Sequence, residues 1–471
     1  MEGTGMNTRH GPVLLGGALL LVVVLAGCGP ATPTPAQPTV GAPPPLPALQ
    51  SPLPSPTPAS GPPYPTIASP IRLPLCTPPP PPPPEALQPS EAPALEDYVF
   101  GEPQVILTDT APIDIIGWMA DGRNLLLART LPDRPRRVIE ALDTQTGRIV
   151  RYAETNLYAS DVAFPLDRGR GVAFYDLGEQ QPGDIVPPND LMASHGPGQV
   201  QPLVQRFSSL STARTMAVDP HSASLVRFEQ APGGPPALPP QAQADLRVLS
   251  LPVDPYLWKY PKYFPDRVET GYTGDEFRTV VRPDGSLVAF ISDPYLFIYD
   301  TTTQTACELD LGVAENGEYR SAWNVEWSPD GRYLAMLSTA RWPGNLLNFT
   351  DLTIYDTLTG VLKHANPSPR EYVTTFSWAP DSQALTVLGD SYMLDGVPLQ
   401  SLYLVNALTG DSVPQLGDQL FGTSGNHISW TSDGRLVSMG PCLGREDDIQ
   451  EMAIEDLKWH ICLIPVDIQN H

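Results

Sequence analysis

Cysteine and histidine are scarce in this sequence, and neither has the spacing of a familiar reactive or metal-binding site. The 471 residues include 5 Cys and 7 His. No Cys-x-x-Cys pair, His-Glu-x-x-His helix motif, nucleophile elbow or glycine-rich phosphate loop occurs. Local motifs therefore predict no catalytic residue, no metal and no cofactor. A site assembled from residues that are distant in the sequence stays open.

Charge is also scarce, and positive charge most of all. Charged residues make up 17% of the chain, and 28 Lys and Arg face 52 Asp and Glu, so the net charge is −24. This excess of negative charge repels phosphate backbones and anionic lipid headgroups. It excludes nucleic acid as a partner class, and it excludes adhesion to a membrane through a basic surface.

No apolar run is long enough to span a bilayer, which takes about 20 residues. The longest run, Val13–Leu25, has the length typical of an export signal and leads into Leu25-Ala26-Gly27-Cys28. This ending resembles the bacterial lipoprotein signal, in which the cysteine accepts diacylglycerol. The resemblance implies a signal peptide over residues 1–27, a lipid anchor on Cys28 and an extracytoplasmic place in the cell envelope. An ordinary signal peptide, with Cys28 unmodified, is the alternative.

Proline is abundant, but in one segment only. Of the 58 Pro residues, 26 lie between Cys28 and Asp97. Proline lacks the backbone N–H and fixes φ, so this composition favours extended polyproline II over helix or sheet. We predict that residues 28–97 are a lipidated cysteine followed by a disordered, Pro-rich stalk. The globular body is then residues 98–471.

A short phrase recurs through the body at intervals of 46 to 63 residues. An apolar segment ends at an aromatic residue, Pro-Asp-Gly or a relative turns the chain, and a second apolar run follows. This is the pattern of a β-hairpin. A third run leads into a second turn, as at Tyr355–Gly360, and a weaker fourth run follows it. The copies begin at Trp118, Phe164, Val218, Val281, Trp327, Trp378 and Trp430.

Four antiparallel strands per unit, repeated radially, are typical of a β-propeller blade. One aspartate recurs at the same place in the turn of most copies, and one active site would not need several such copies. We therefore interpret it as a turn former rather than a catalytic acid. The structural pairs in the clearest copies are Trp118 and Asp121, Trp327 and Asp330, Trp378 and Asp381, and Trp430 and Asp433.

The phrases at 327–335 and 352–360 resemble the WD40-like β-propeller repeat of the TolB family. The seven copies of the phrase predict an all-β propeller of seven blades, with six or eight as alternatives. The resemblance supports the propeller fold. It also implies a role as an envelope scaffold. The last copy has room for only three strands, whereas Pro103–Thr108 forms a spare strand ahead of the first copy. We predict that this N-terminal strand closes the last blade.

Four cysteines remain besides Cys28, and an exported protein can pair them. Cys442 and Cys462 fall on strands that should be neighbours in the last blade, so we predict a disulfide between them. By exclusion, Cys76 pairs with Cys307 and ties the stalk to the fourth blade.

An aromatic-rich segment interrupts the spacing between the third and fourth copies. Its candidate binding residues are Trp258, Tyr260, Tyr263 and Phe264. Insertions in propellers often line the binding face, although these aromatics could equally pack into the body. The leading hypothesis is a monomeric, lipid-anchored binding or scaffold module for a protein, peptide or glycan. The alternative is an envelope lyase or hydrolase with a site at the channel mouth.

Overall fold

The computed structural model describes most of the body and a short piece of the stalk. No helix within the described ranges is long and apolar enough to cross a membrane. The described residues are 73–77, 94–109, 113–119, 121–131, 136–156, 163–166, 171–177, 189–205, 207, 215–231, 233–255, 278–292, 295–312, 320–340, 349–365, 373–394, 397–416, 421–422, 428–431, 433–440 and 459–469.

The described residues are almost entirely β-structure and form eight sheets. Seven of these sheets are the blades, which we number 1 to 7 in chain order, and the eighth is a two-stranded ribbon. A 3-10 turn (Leu95–Asp97), β1 (Tyr98–Phe100) and β2 (Gln104–Asp109) precede the blades. Blade 1 contains β3 (Ile113–Trp118), β4 (Asn124–Thr130), β5 (Arg136–Asp143) and β6 (Ile149–Asn156). Blade 2 contains β7 (Ala163–Pro165), β8 (Val172–Leu177), β9 (Asn189–Ser194) and β10 (Val200–Val204). Blade 3 contains β11 (Met216–Asp219), β12 (Ser224–Phe228), the helix α1 (Pro240–Asp245) and β13 (Arg247–Leu251).

The second half of the chain continues in the same way. Blade 4 contains β14 (Arg278–Val281), β15 (Leu287–Ser292), β16 (Tyr295–Asp300) and β17 (Thr305–Leu309). Blade 5 contains β18 (Arg320–Trp327), β19 (Tyr333–Ala340), β20 (Phe349–Asp356) and β21 (Val361–Ala365). Blade 6 contains β22 (Thr375–Trp378), β23 (Ala384–Leu394), β24 (Val397–Asn406), β25 (Ser412–Gln415) and β26 (Phe421–Gly422). Blade 7 contains β27 (Ile428–Trp430), β28 (Leu436–Gly440) and β29 (Trp459–Ile464), and β30 (Val466–Ile468) follows.

Blade 7 takes its fourth strand from the beginning of the body. Its strand order is β27, β28, β29 and then β2, and the β2–β29 pair is antiparallel with Val105 opposite Cys462. This arrangement joins the two ends of the body in one sheet and covers an edge of β29 that would otherwise be open. The predicted closure by an N-terminal strand is confirmed.

Seven clusters of buried apolar side chains lie between the blades, one at each junction between neighbours. Each cluster draws side chains from two consecutive blades, and one cluster joins blade 7 to blade 1 through Val437 and Ile113. Seven junctions for seven blades require a closed ring. The seven-bladed propeller predicted from the seven repeats is therefore confirmed, and the alternatives of six and eight blades are excluded.

In blades 5, 6 and 7 the tryptophan of the repeat joins the blade to the one before it, whereas Trp118 Nε1 of blade 1 has no hydrogen-bond partner among the described residues. Trp327 Nε1 donates a hydrogen bond to the carbonyl oxygen of Val280 at 3.1 Å, and Trp378 Nε1 donates to that of Glu326 at 3.3 Å. Trp430 Nε1 donates to Thr386 Oγ1 at 3.0 Å. These three indoles are buried in the junctions, where they combine apolar burial with a satisfied polar group.

The aspartate of the repeat caps its own turn. Asp121, Asp330 and Asp381 each accept a hydrogen bond from the backbone N–H two residues later. Asp433 accepts hydrogen bonds from the side chains of Thr431 and Arg435. These contacts are those of an Asx-type turn, in which a carboxylate satisfies amides that the hairpin leaves without a partner.

Blade 3 departs from the repeat. Its described residues form three strands, and β13 runs parallel to β12 instead of antiparallel, because α1 carries the chain across between them. Four antiparallel strands were predicted for every blade, and that prediction is wrong here. The prolines of residues 235–240 cannot extend a ladder. The chain instead forms α1, whose Ala242 is buried in the cluster between blades 2 and 3.

The stalk contributes one described piece to the body. Residues 73–77 run beside β17 in parallel, with Cys76 N donating to Glu308 O and Glu308 N donating to Pro74 O, both at 2.8 Å. A disulfide joins Cys76 to Cys307 at the same place. Cys462 is also disulfide-bonded, and its predicted partner Cys442 lies outside the described residues.

A short antiparallel ribbon of β1 and β30 also joins the two ends of the body. Tyr98 packs against blades 6 and 7, and its hydroxyl donates a hydrogen bond to Asp381. Burial and this hydrogen bond raise the pKa of Tyr98 well above its usual value. Two N-terminal strands therefore help to close the ring. β2 completes blade 7, and β1 packs at the junction between blades 6 and 7.

Candidate functional site

Several residues singled out from the sequence lie outside the described part of the chain. They are the lipidation candidate Cys28 and the aromatic candidates Trp258, Tyr260, Tyr263 and Phe264. The candidate site is therefore built from the remaining residues, and those two hypotheses stay predictions.

A cavity of about 590 Å³ lies among the first strands of the blades, around the axis of the ring. This volume falls in the range of small-molecule sites. The first strands of blades 1, 2, 5, 6 and 7 line the cavity, together with the turn after β11 of blade 3. The polar lining residues are Asp114, Trp118, Arg137, His221, Asn324, Glu326, Thr375, Ser377 and Ser429.

One part of the wall, on blade 1, holds an ion pair. Arg137 Nη1 lies 3.0 Å from Asp114 Oδ2, and each side chain is about one quarter exposed. The Nε–H of Arg137 is buried and has no hydrogen-bond partner among the described residues. Blade 1 therefore contributes an ion pair to the wall of the cavity.

Another part of the wall holds an acid and an imidazole. Glu326 is the penultimate residue of β18, and its Oε1 lies 3.9 Å from His221 Nδ1. Burial raises the pKa of Glu326, nearby Asp219 raises it further, and His221 partly offsets both. A carboxyl group with a raised pKa beside an imidazole is suited to hydrogen bonding in its neutral form and to proton transfer.

The turn after β11 brings His221 to the cavity. Asp219 accepts hydrogen bonds from the backbone N–H of His221 at 3.0 Å and from that of Val281 in blade 4 at 2.8 Å. Asp219 is itself buried, so the turn is held firmly against the next blade. In the alignment of the repeats, His221 occupies the place that Asp330 has in blade 5.

Sequence reasoning missed this combination of side chains. His221 and Glu326 are separated by more than one full repeat, so no local spacing pairs them. The available signal was the degraded third copy, in which a histidine replaces the turn aspartate. The sequence also could not place Asn324 at the cavity, because it does not reveal the β-bulge in which Asn324 lies with a φ of 45°. Within the described ranges, no three His, Cys, Asp or Glu side chains form a metal-binding group.

The disulfides indicate the compartment. Cys76–Cys307 and the bonded Cys462 are structural cysteines in a chain with no Cys-x-x-Cys motif. Such bonds persist in oxidising environments and are rare in the cytosol. The protein is extracytoplasmic.

Comparison with known proteins gives similarities of fold. No protein-family model matches the chain, and no curated protein matches it in sequence. A protein assigned as TolB from Agrobacterium tumefaciens has 12% identity over 77% of this chain and 94% of its own, with a TM-score of 0.36. Oligogalacturonate lyase from Vibrio parahaemolyticus has 14% identity over 79% and 97%, with a TM-score of 0.40. The propeller domain of Cps50 (Swd1) from Myceliophteria thermophila has 14% identity over 76% and 98%, with a TM-score of 0.38.

Proposed function

We propose that this chain is an extracytoplasmic binding module that takes a protein segment, a peptide or a glycan into its axial cavity. One observation carries the proposal: a cavity of about 590 Å³ lined by six blades, five of which supply polar side chains. Side chains that converge from separate blades on one cavity are typical of a ligand site. The protein acts as a monomer, and Cys28 and the stalk tether it to the membrane.

Blocking the cavity tests this function. Ser429 lies on β27 and faces the cavity, so Ser429→Trp should fill part of the space. Calorimetry of the full-length protein against a panel of short peptides and oligosaccharides should identify at least one ligand, whose affinity falls at least tenfold in this variant. Val361→Trp is the control, because Val361 is exposed on the outer strand of blade 5. Binding that survives the plug, or a panel with no ligand, would refute the function.

The anchor has its own test. Cys28→Ala removes the sulfur that would carry diacylglycerol, so the variant should move from the detergent phase to the aqueous phase in a Triton X-114 partition. More than one acyl chain makes attachment stable, so a nearly complete shift is expected. Equal partition of wild type and variant would contradict lipidation.

Glu326 and His221 support a second candidate function, a hydrolase or lyase with its site in the cavity. Their separation of 3.9 Å and the raised pKa of Glu326 fit a general acid or base. Turnover of a bound panel member, lost in Glu326→Gln with binding retained, would establish this candidate over simple binding.

A further inference from the structure

The carboxylate of Glu326 has no hydrogen-bond donor in the described part of the chain. Its side chain borders the axial cavity and is 25% exposed, so a ligand in the cavity can reach it. His221 Nδ1 lies 3.9 Å away, beyond hydrogen-bond distance. No described backbone N–H or side chain donates to this carboxylate. A confined carboxylate without donors is costly to ionise, which suits a group whose partner arrives with a ligand.

The other described acids at the cavity have partners within the protein. Asp114 pairs with Arg137 at 3.0 Å. Asp219, which lies behind the wall, accepts hydrogen bonds from two backbone N–H groups and from Ser222 Oγ. The missing partner is therefore a property of Glu326 and not of the acidic residues in general.

The charges around the cavity favour a cation as that partner. The carboxylates of Asp114 and Glu326 line the cavity together with one guanidinium, that of Arg137, and the buried carboxylate of Asp219 lies behind the wall. This excess of acid repels an anion. A neutral ligand could donate a hydrogen bond to Glu326 but would leave its charge without compensation. A cationic donor supplies both the hydrogen bond and the charge.

Apolar surface lies beside these charged groups. Ile116, Ala163, Pro165 and Pro220 border the cavity and are partly exposed. A lysine side chain matches such a mixed wall, because its methylene stem packs on apolar surface while its ammonium tip donates to oxygen atoms. An amino sugar carries its ammonium on a ring that is surrounded by hydroxyl groups and has no comparable stem. The wall therefore favours a lysine side chain over an amino sugar.

We propose that the axial cavity takes up a lysine side chain of a peptide or protein segment, whose ammonium group donates a hydrogen bond to the carboxylate of Glu326. This inference rests on the proposed function and specifies which part of the ligand the cavity recognises. It also differs from the second candidate function, in which Glu326→Gln keeps its ligand and loses only turnover. Here the same substitution removes the group that binds.

Calorimetry of the full-length protein tests the ligand class with tripeptides that are blocked at both ends, so that only the central side chain carries charge. Ala-Lys-Ala is the probe, and Ala-norleucine-Ala has the same stem without the ammonium. The lysine peptide should bind at least tenfold more tightly than the norleucine peptide. Glu326→Gln, which keeps the shape of the side chain, should abolish that difference. Its melting temperature should not fall, because no described residue donates to the lost carboxylate.

Glu229→Gln is the matched control. It removes the same charge from a side chain that is 40% exposed and does not line the cavity. The affinity for Ala-Lys-Ala should therefore stay unchanged. The chain carries a net charge of −24, and a general attraction of cations to it would weaken equally in both variants. The two variants thus separate a contact at Glu326 from the field of the whole protein.

Proton release provides an independent measurement. Burial raises the pKa of Glu326, and an ammonium bound beside the carboxylate should lower that pKa again. Binding should therefore release a proton, seen as an enthalpy that depends on the buffer, and the affinity should rise between about pH 5 and pH 8. His221 and Asp219 face the same carboxylate, and a proton taken up by His221 in acid would repel the ammonium and act in the same direction. An affinity that stays constant or falls with rising pH would contradict the pairing.

The remaining outcomes separate the two proposals. If Ala-norleucine-Ala binds as tightly as Ala-Lys-Ala, if Glu326→Gln keeps the preference, or if a glucosamine dimer binds more tightly than the lysine peptide, the lysine inference is overturned. If another peptide or an oligosaccharide binds instead and Ser429→Trp abolishes that binding, the proposed function stands without this ligand. If nothing binds, or if Ala-Lys-Ala binds equally well to Ser429→Trp, both proposals fail.

Discussion

A chain that begins at residue 110 should not form a stable monomer. It lacks β2, so the edge of β29 is left open, and it lacks β1 with the buried side chains of Leu95 and Tyr98. Burial of a large apolar side chain is worth about 1.5–3 kcal/mol, so the two buried residues and the partly buried ones beside them should contribute on the order of 5 kcal/mol. Loss of most of the stability and aggregation through the open edge are expected.

The matched control is a chain that begins at residue 94, which keeps both strands. Each chain carries Cys307→Ser, because each lacks the partner Cys76. Urea unfolding and size-exclusion chromatography should show a folded monomer for the control only. A synthetic peptide of residues 94–109, added in excess, should restore the monomer of the shorter chain. Equal stability of the two chains would mean that the ring does not need its N-terminal strand.

Arg332→Gln should cost about 2 kcal/mol of unfolding free energy. Arg332 donates through Nε and Nη2 to Asp356, at 3.2 and 2.9 Å. The Asp356 side chain is 5% exposed, whereas that of Arg332 is 29% exposed. Loss of one partner from a buried pair costs about 3–5 kcal/mol, and the exposure of Arg332 reduces that figure because water can partly replace it.

The unfolding free energy lost in Arg332→Gln should decrease as the pH falls. Burial alone would raise the pKa of Asp356, but the hydrogen bonds from Arg332 and the N–H of Leu358 outweigh it and lower the pKa. A carboxyl group with a lowered pKa stabilises the fold above its unfolded pKa of about 3.9 and loses that effect as the pH falls. The difference between wild type and variant should be largest near neutral pH and shrink below about pH 4.

Blade 6 indicates a second substitution that should restore the stability lost in Arg332→Gln. At the places of Arg332 and Asp356 it carries Gln383 and Asn406, and Asn406 Oδ1 accepts from the N–H groups of Leu408 and Thr409. Asp356→Asn added to Arg332→Gln should recover most of the lost stability, because a neutral amide needs no cation. Arg435→Gln is the control, since its partner Asp433 is exposed, and a change below about 0.5 kcal/mol is expected. A failed rescue would show that the two blades hold this turn by different means.

The repeat made much of the fold predictable from the sequence. Trp327, Trp378 and Trp430 mark the ends of inner strands because a large apolar residue must fill each junction. Asp330 and Asp381 mark the turns because their carboxylates accept local amides. The closing strand followed from a last copy that was one strand short. The tryptophans and turn aspartates are predictable because the same local contacts recur in several blades, so one sequence contains several examples of each.

Features without such a recurring signal were missed. The parallel pairing of β13 depends on how α1 packs against blade 2, and the ribbon of β1 and β30 joins two short segments outside the repeat. The cavity is a property of the ring, because residues such as His221 and Glu326 meet only after the intervening blade has folded. Trp118 shows the same limit, since its sequence context matches that of the bonded indoles.

Closure by the first strand sets the order of events in biogenesis. During synthesis, β2 is complete before any blade exists, and its partner β29 is among the last strands to be made. β2 is thus made early and paired late, and the ring cannot close until nearly the whole body has been synthesised. Contacts between such distant segments form slowly. A chain interrupted before β29 leaves β2 without its partner and β28 with an open edge, and open edges of this kind promote aggregation.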